Sequence, residues 1–126
     1  MKTVYFALVV LLASPLAFAE TPKETAPSDF VRQIFPILEQ RCFECHSEKK
    51  HKAGLRLDAK SAALTGGDSG VAIVPGNSAA SPLIKRVLST DDEERMPPKG
   101  ERLTAAQIAA LRAWIDAGAV WPESAG

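Results

Sequence analysis

An all-α fold is the class this sequence predicts, on three observations. Apolar residues recur at helical spacing in two stretches, one after residue 28 and one after residue 104. Between them, glycines and prolines cut the chain into pieces too short for a regular sheet. The third observation is a shortage of bulk. Aromatic residues make up 6% of the 126 positions, and Tyr5, Phe6 and Phe18 fall in a segment expected to be removed. A small domain so poor in large side chains needs a staple, a metal or a cofactor to complete its core.

Composition also excludes some functions. The chain carries 15 Lys and Arg against 15 Asp and Glu, so its formal net charge is zero. That balance argues against a protein working by bulk attraction to nucleic acid or to an acidic membrane. With 46% hydrophobic and 24% charged residues, the chain reads as one folded soluble domain.

Residues 1–19 have the three-part layout of a secretory signal peptide. Met1-Lys2-Thr3 is a short positive start, Val4 to Ala13 is uninterrupted apolar sequence, and Ala17-Phe18-Ala19 precedes a cut before Glu20. A membrane-spanning helix needs about 20 apolar residues, and this run is shorter and broken by Pro15. No cysteine lies near the cut, which argues against a lipid anchor. The expectation is export to a bacterial periplasm with no membrane anchor after cleavage.

Residues 20–27, ETPKETAP, form a polar, flexible lead. The folded domain is expected over 28–122, with a tail at 123–126. Its first helix starts at Ser28 or Asp29, either able to cap free amides. Val31, Ile34, Phe35 and Leu38 fall at i, i+3, i+4 and i+7 and make one apolar face, while Pro36 inside the pattern predicts a kink. Gly54 to Gly76 reads as loops with room for a small two-stranded β-ribbon. Ser81-Pro82 opens a short helix with Leu83, Ile84, Val87 and Leu88 on its apolar side. The last helix is the clearest, for Thr104 and Gln107 make a capping-box pattern. Ile108, Leu111 and Ile115 supply its stripe with Trp114 beside it, and Gly118 ends it.

Chemistry concentrates at Cys42-Phe43-Glu44-Cys45-His46, where a histidine directly follows the chain's one CxxC. Two cysteines three apart at a helix end can each form a thioether with a haem vinyl group, and the adjacent histidine then serves as the proximal iron ligand. An exported compartment agrees with that attachment. Three other readings compete. A structural zinc site would draw on Cys42, Cys45, His46 and His51, crowded into ten residues. A thioredoxin-like dithiol would follow a strand in a βαβ unit, which the sequence lacks. A disulfide across two residues would close a very small loop.

Met96 is the one methionine beyond the signal segment, and Pro97-Pro98 follow it in a charged loop rather than on an apolar helix face. The prolines hold the backbone extended and can present the thioether at a fixed angle. Fifty residues separate it from His46, enough chain to wrap a porphyrin and return on its other side. A thioether as sixth ligand favours ferrous iron and raises the potential. His51 is the other candidate, and sits so close to His46 that the opposite face is awkward to reach.

These residues resemble a class I cytochrome c domain, and most closely the planctomycete-type cytochrome c domain. The matching stretches are IFPILEQRCFECHS, GLRLD, AIVPGNSAASPLIKRV and RMPPKGERLTAAQIAALRAWIDAGAVWP, together spanning about Phe30 to Pro122. The resemblance implies a cytochrome c-like fold around a single haem c. Cys42 and Cys45 would be its covalent attachments, His46 and Met96 its axial ligands, and the first and last helices would pack across each other.

Lys49, Lys50 and Lys52 beside the motif, and Asp91 to Glu94 before Met96, read either as plain solvated surface or as charges that orient a redox partner. Arg56, Arg95 and Arg102 are candidates to meet the haem propionates. The function expected is a monomeric, exported mono-haem c-type cytochrome carrying single electrons between periplasmic or membrane redox partner proteins. It is an electron carrier rather than an enzyme, with no nucleic-acid partner. The rival is a haem-based gas sensor or ligand-binding module, in which Met96 binds weakly or leaves; a small peroxidase would need His51 as its distal base.

Overall fold

A computed structural model describes residues 9, 10, 12–15 and 29–125. Most of the signal segment 1–19, the whole of the lead 20–27, and Ser28 as a helix start lie outside the described residues. Among the described residues no helix is long and apolar enough to cross a membrane.

The first helical stretch opens as a π-helical segment, Phe30–Ile34, and continues as α1, Phe35–Arg41. Pro36 explains the change of pitch. Lacking an N–H, it cannot bond the carbonyl four residues back. A wider turn, in which the Phe35 N–H reaches Phe30 O, comes immediately before it. The expected kink is thus absorbed as a π-turn. That turn also rotates the apolar face. Phe30, Ile34, Ile37 and Leu38 are buried, whereas Val31 is 49% exposed and Phe35 is only partly buried.

A 3₁₀ turn, Lys52–Gly54, leads to α2, Lys60–Thr65. This helix corrects the expectation of loops alone between Gly54 and Gly76; it buries Ala63 and little else. The expected β-ribbon is likewise absent among the described residues, which hold isolated bridges at His46–His51 and Gly67–Gly70. Next comes α3, Pro82–Leu88, with Leu83, Ile84 and Val87 buried and Leu88 turned to solvent. Ser81 precedes it but does not cap it. Its buried hydroxyl accepts from the Val74 N–H at 2.9 Å and donates to Asn77 O at 2.9 Å, closing the preceding loop.

The last helix, α4, is Ala105–Asp116. Its capping box forms as expected. Thr104 Oγ1 accepts from the Gln107 N–H at 3.1 Å, and Gln107 Oε1 accepts from the Thr104 N–H at 2.9 Å. Leu111, Trp114 and Ile115 are buried, and Gly118 turns the chain away with φ near 108°.

Every aromatic residue beyond position 19 joins one cluster. The Phe30 ring centroid lies 4.6 Å from Trp121 and 5.5 Å from Trp114, and the two indoles are 6.0 Å apart. Phe35 and then Phe43 extend the cluster by edge-on contacts at 6.2 and 5.5 Å. Both indole N–H groups are satisfied, Trp114 by Val120 O at 2.8 Å and Trp121 by Ala125 O at 2.5 Å. Through Phe30 and Trp114 the π-helical segment packs on α4, and α3 packs on α4 from another side. The described chain is helical with no sheet, in keeping with the all-α expectation.

Candidate functional site

The CxxCH sequence begins where α1 ends. The Cys42 N–H still bonds Leu38 O at 2.8 Å, and the His46 N–H bonds Cys42 O at 2.9 Å, so the motif winds on as one further turn. That turn sorts its side chains. Phe43 joins the aromatic cluster, while Cys42, Cys45 and His46 line a cavity of about 560 Å³ on the opposite side. The volume falls within the range of about 300–1,000 Å³ usual for cofactor clefts.

His46 is held from behind. Its Nδ1 lies 3.2 Å from Leu55 O. A carbonyl can only accept, so Nδ1 carries the proton and Nε2 keeps its lone pair. Burial lowers the imidazole pKa, and the nearby Lys52 charge lowers it further against the opposing Leu55 bond. The ring is thereby kept neutral, as a metal ligand must be. Leu55 itself is braced by a close backbone approach. A Cβ on Gly67 would stand 2.5 Å from Ala53 O and 3.0 Å from Leu55 N, so only glycine lets these segments touch.

Both cysteines are free. Burial, with the neighbouring Cys45 thiol, pushes Cys42 up to about 12. It therefore stays a thiol at neutral pH, unlike the low-pKa thiolate of a redox-exchange dithiol. The described residues also contain no βαβ unit to carry such a dithiol. Nor do they gather three or more His, Cys, Asp or Glu side chains around a point that could hold a metal ion, as the zinc reading requires. His51 is exposed and does not line the cavity.

Met96 lines the same cavity as the CxxCH residues. It lies within a loop from Ser89 to Arg102 whose ends are drawn together by a bond from the Arg102 guanidinium to Ser89 O. Its own N–H bonds Arg86 O, at the end of α3, at 3.0 Å. Between Met96 and the motif the walls are aliphatic, with Leu57, Ala72, Leu83, Val87 and Leu103 among them. The stretch holding Ala72 and Leu83 is pinned to the end of α4. The Gly76 N–H bonds Ile115 O at 2.7 Å, and the Asp116 carboxylate accepts from the Ser78 N–H at 2.7 Å and its hydroxyl at 3.0 Å. These two bonds, helped by the Arg112 charge, hold the Asp116 carboxyl below its ordinary range.

Five cationic side chains line the cavity, Arg41, Lys50, Lys52, Arg86 and Lys99, against the one carboxylate of Glu44. The arginines picked out from the sequence are not among them. Arg56 is engaged by Asp58 at 3.0 Å, Arg95 by Asp92 at 3.3 Å and by Pro98 O, and Arg102 by Ser89 O. Arg41 and Arg86 are the two arginines on the cavity wall. Arg41 is there because it directly precedes Cys42, whereas Arg86 reaches the cavity only through the path of the chain. Trp114 packs on the first helical stretch and does not line the cavity.

The donor set fits a covalently held haem: two free thiols three residues apart, a neutral imidazole with a free lone pair, and a thioether, all on one largely aliphatic cavity. Its excess of cations suits a cofactor that carries carboxylates.

Comparison with known families agrees. Residues 42–100 match the family described as Planctomycete cytochrome C, which supports a planctomycete-type cytochrome c domain there and suggests a haem-binding electron carrier. No curated protein and no solved structure matches the chain.

Proposed function

With a planctomycete-type cytochrome c domain over residues 42–100 as its premise, we propose that this chain is an exported mono-haem c-type cytochrome. It would carry single electrons between periplasmic or membrane redox partner proteins. The observation that carries the proposal is the convergence of Cys42, Cys45, His46 and Met96 on one cavity from two segments far apart in sequence. Cys42 and Cys45 would hold haem c through two thioethers, with His46 Nε2 and Met96 Sδ as the side-chain donors to its iron. When bound, that group supplies a one-electron ferric/ferrous couple.

The chain's own residues do the rest. Leu55 O fixes the imidazole's tautomer and orientation and adds to its basicity. The Met96 thioether favours the reduced state and so raises the potential. Leu57, Leu83, Val87 and Leu103 exclude water, which keeps solvent reorganisation small when the charge changes. A carrier needs no general acid, base or nucleophile.

Variants at Met96 test this reading. Met96→Ala should open a coordination position, so that carbon monoxide binds the ferrous protein readily where the wild type resists it. Met96→His should keep both axial positions filled and lower the reduction potential, because imidazole is the stronger donor to ferric iron. Wild-type protein that takes up the gas as fast as Met96→Ala, with a potential unmoved in Met96→His, would make the chain a ligand sensor instead.

A further inference from the structure

We infer that Arg86 is a positioning residue for Met96, acting through both its backbone and its side chain. The inference rests on the reading of Met96 as an iron ligand. The arginine stands near the end of α3 and lines the cavity. Its carbonyl accepts the Met96 N–H at 3.0 Å, and its Nη1 donates to Glu94 O at 3.3 Å. One residue thus grips the loop at Met96 itself and two positions before it, flanking Arg95. Among the neighbouring contacts, Arg86 is the one that ties the Met96 end of this loop to a packed helix. Arg102 joins the loop only to its own beginning at Ser89. Arg95 pairs within the loop, to Asp92 and Pro98 O. Arg41 reaches Glu101 at 3.4 Å, but Glu101 is 86% exposed and lies beyond the methionine. By contrast, Ile84 and Val87 bury the helix that carries Arg86.

A side chain as flexible as methionine binds iron well only if its backbone is already in place, because otherwise the bond must also order the loop. The Arg86 fork supplies part of that order before the ligand closes, and a lysine at this position lacks the fork's directed donors. Loss of the Glu94 bond should therefore raise the population in which Met96 is off the iron, without unfolding the domain.

The test compares wild type, Arg86→Ala, Arg86→Lys and Met96→Ala as haem-loaded protein. Imidazole is added to the ferric form and carbon monoxide to the ferrous form, and the far-red charge-transfer band of thioether-ligated ferric haem is followed. Arg86→Ala should bind imidazole about threefold faster than wild type, as the loss of one exposed hydrogen bond of 3.3 Å implies. It should lose the far-red band at lower temperature while far-UV helicity is kept, and Arg86→Lys should fall between. Unchanged rates and band in a folded Arg86→Ala would overturn the inference. Loss of helicity together with the band would overturn it too, assigning Arg86 to the stability of α3. A wild type already binding at the Met96→Ala rate would instead remove the ligand assignment on which the inference rests.

Discussion

The two sides of this small domain are filled in opposite ways. On one side Phe30, Phe35, Phe43, Trp114 and Trp121 pack ring against ring, and the indole N–H groups find carbonyls within the same few turns. On the other a cavity of about 560 Å³ is bounded largely by aliphatic chains, prolines and cations, with no Phe, Tyr or Trp among its described lining residues. The motif turn Cys42–His46 belongs to both, giving Phe43 to the first and its sulfurs and imidazole to the second. The aromatic side is a core finished by the chain. The cavity side is a core whose bulk, on the proposed reading, the cofactor supplies. The low aromatic content is therefore a division of labour, with all the available rings spent on one half.

The harshest way to break this comparison is to stop the second half from being filled. Replacing both Cys42 and Cys45 by alanine should leave little folded protein, because a volume of that size is left unfilled in a domain with few residues to spare. Circular dichroism and thermal melts of the haem-free double variant check this. Wild-type helicity and melting in that variant would show that the aromatic side folds the domain alone. The opposite half is attacked with Trp114→Ala, a 1%-exposed side chain in contact with Phe30 and Trp121. It should cost about 3–5 kcal/mol in denaturant melts. The visible spectrum of the protein that remains folded should be unchanged, since Trp114 does not touch the cavity.

The smallest effect probes the seam between the halves. Ser78 holds the Asp116 carboxyl below its ordinary range. Such a depressed carboxyl adds stability that is complete above its unfolded value of about 3.9 and is lost as pH falls through its folded value. Asp116→Asn should therefore melt below wild type at neutral pH, and the gap should close as pH drops under about 4. A gap that persists undiminished well below that range would mean the charge on Asp116 contributes nothing.

Legibility in the sequence followed the range of the interactions. The capping box of α4 was readable because Thr104 and Gln107 bond each other three residues apart. The joint placement of Cys42, Cys45 and His46 on one turn was readable for the same reason, and Met96, singled out as a methionine before two prolines in a charged loop, lines the same cavity. Elements set by less local balances were not. The Val31 register failed because the π-turn before Pro36 adds a residue to that turn and shifts the face. α2 was hidden because Ala63 is its one buried side chain and Gly66-Gly67 follow at once. Arg86 on the cavity wall depends on how distant segments meet, and no spacing in one dimension encodes that.

Gly67 presents bare backbone to Ala53 and Leu55. An imidazole aimed by a carbonyl is only as steady as the strut behind that carbonyl, and here the strut is a seam with no clearance for even a methyl group. Any side chain at this point would act as a wedge, prising Leu55 forward and swivelling the histidine it steers. The aim of the His46 ring is thus governed from a separate loop, by an atom whose absence is the working part.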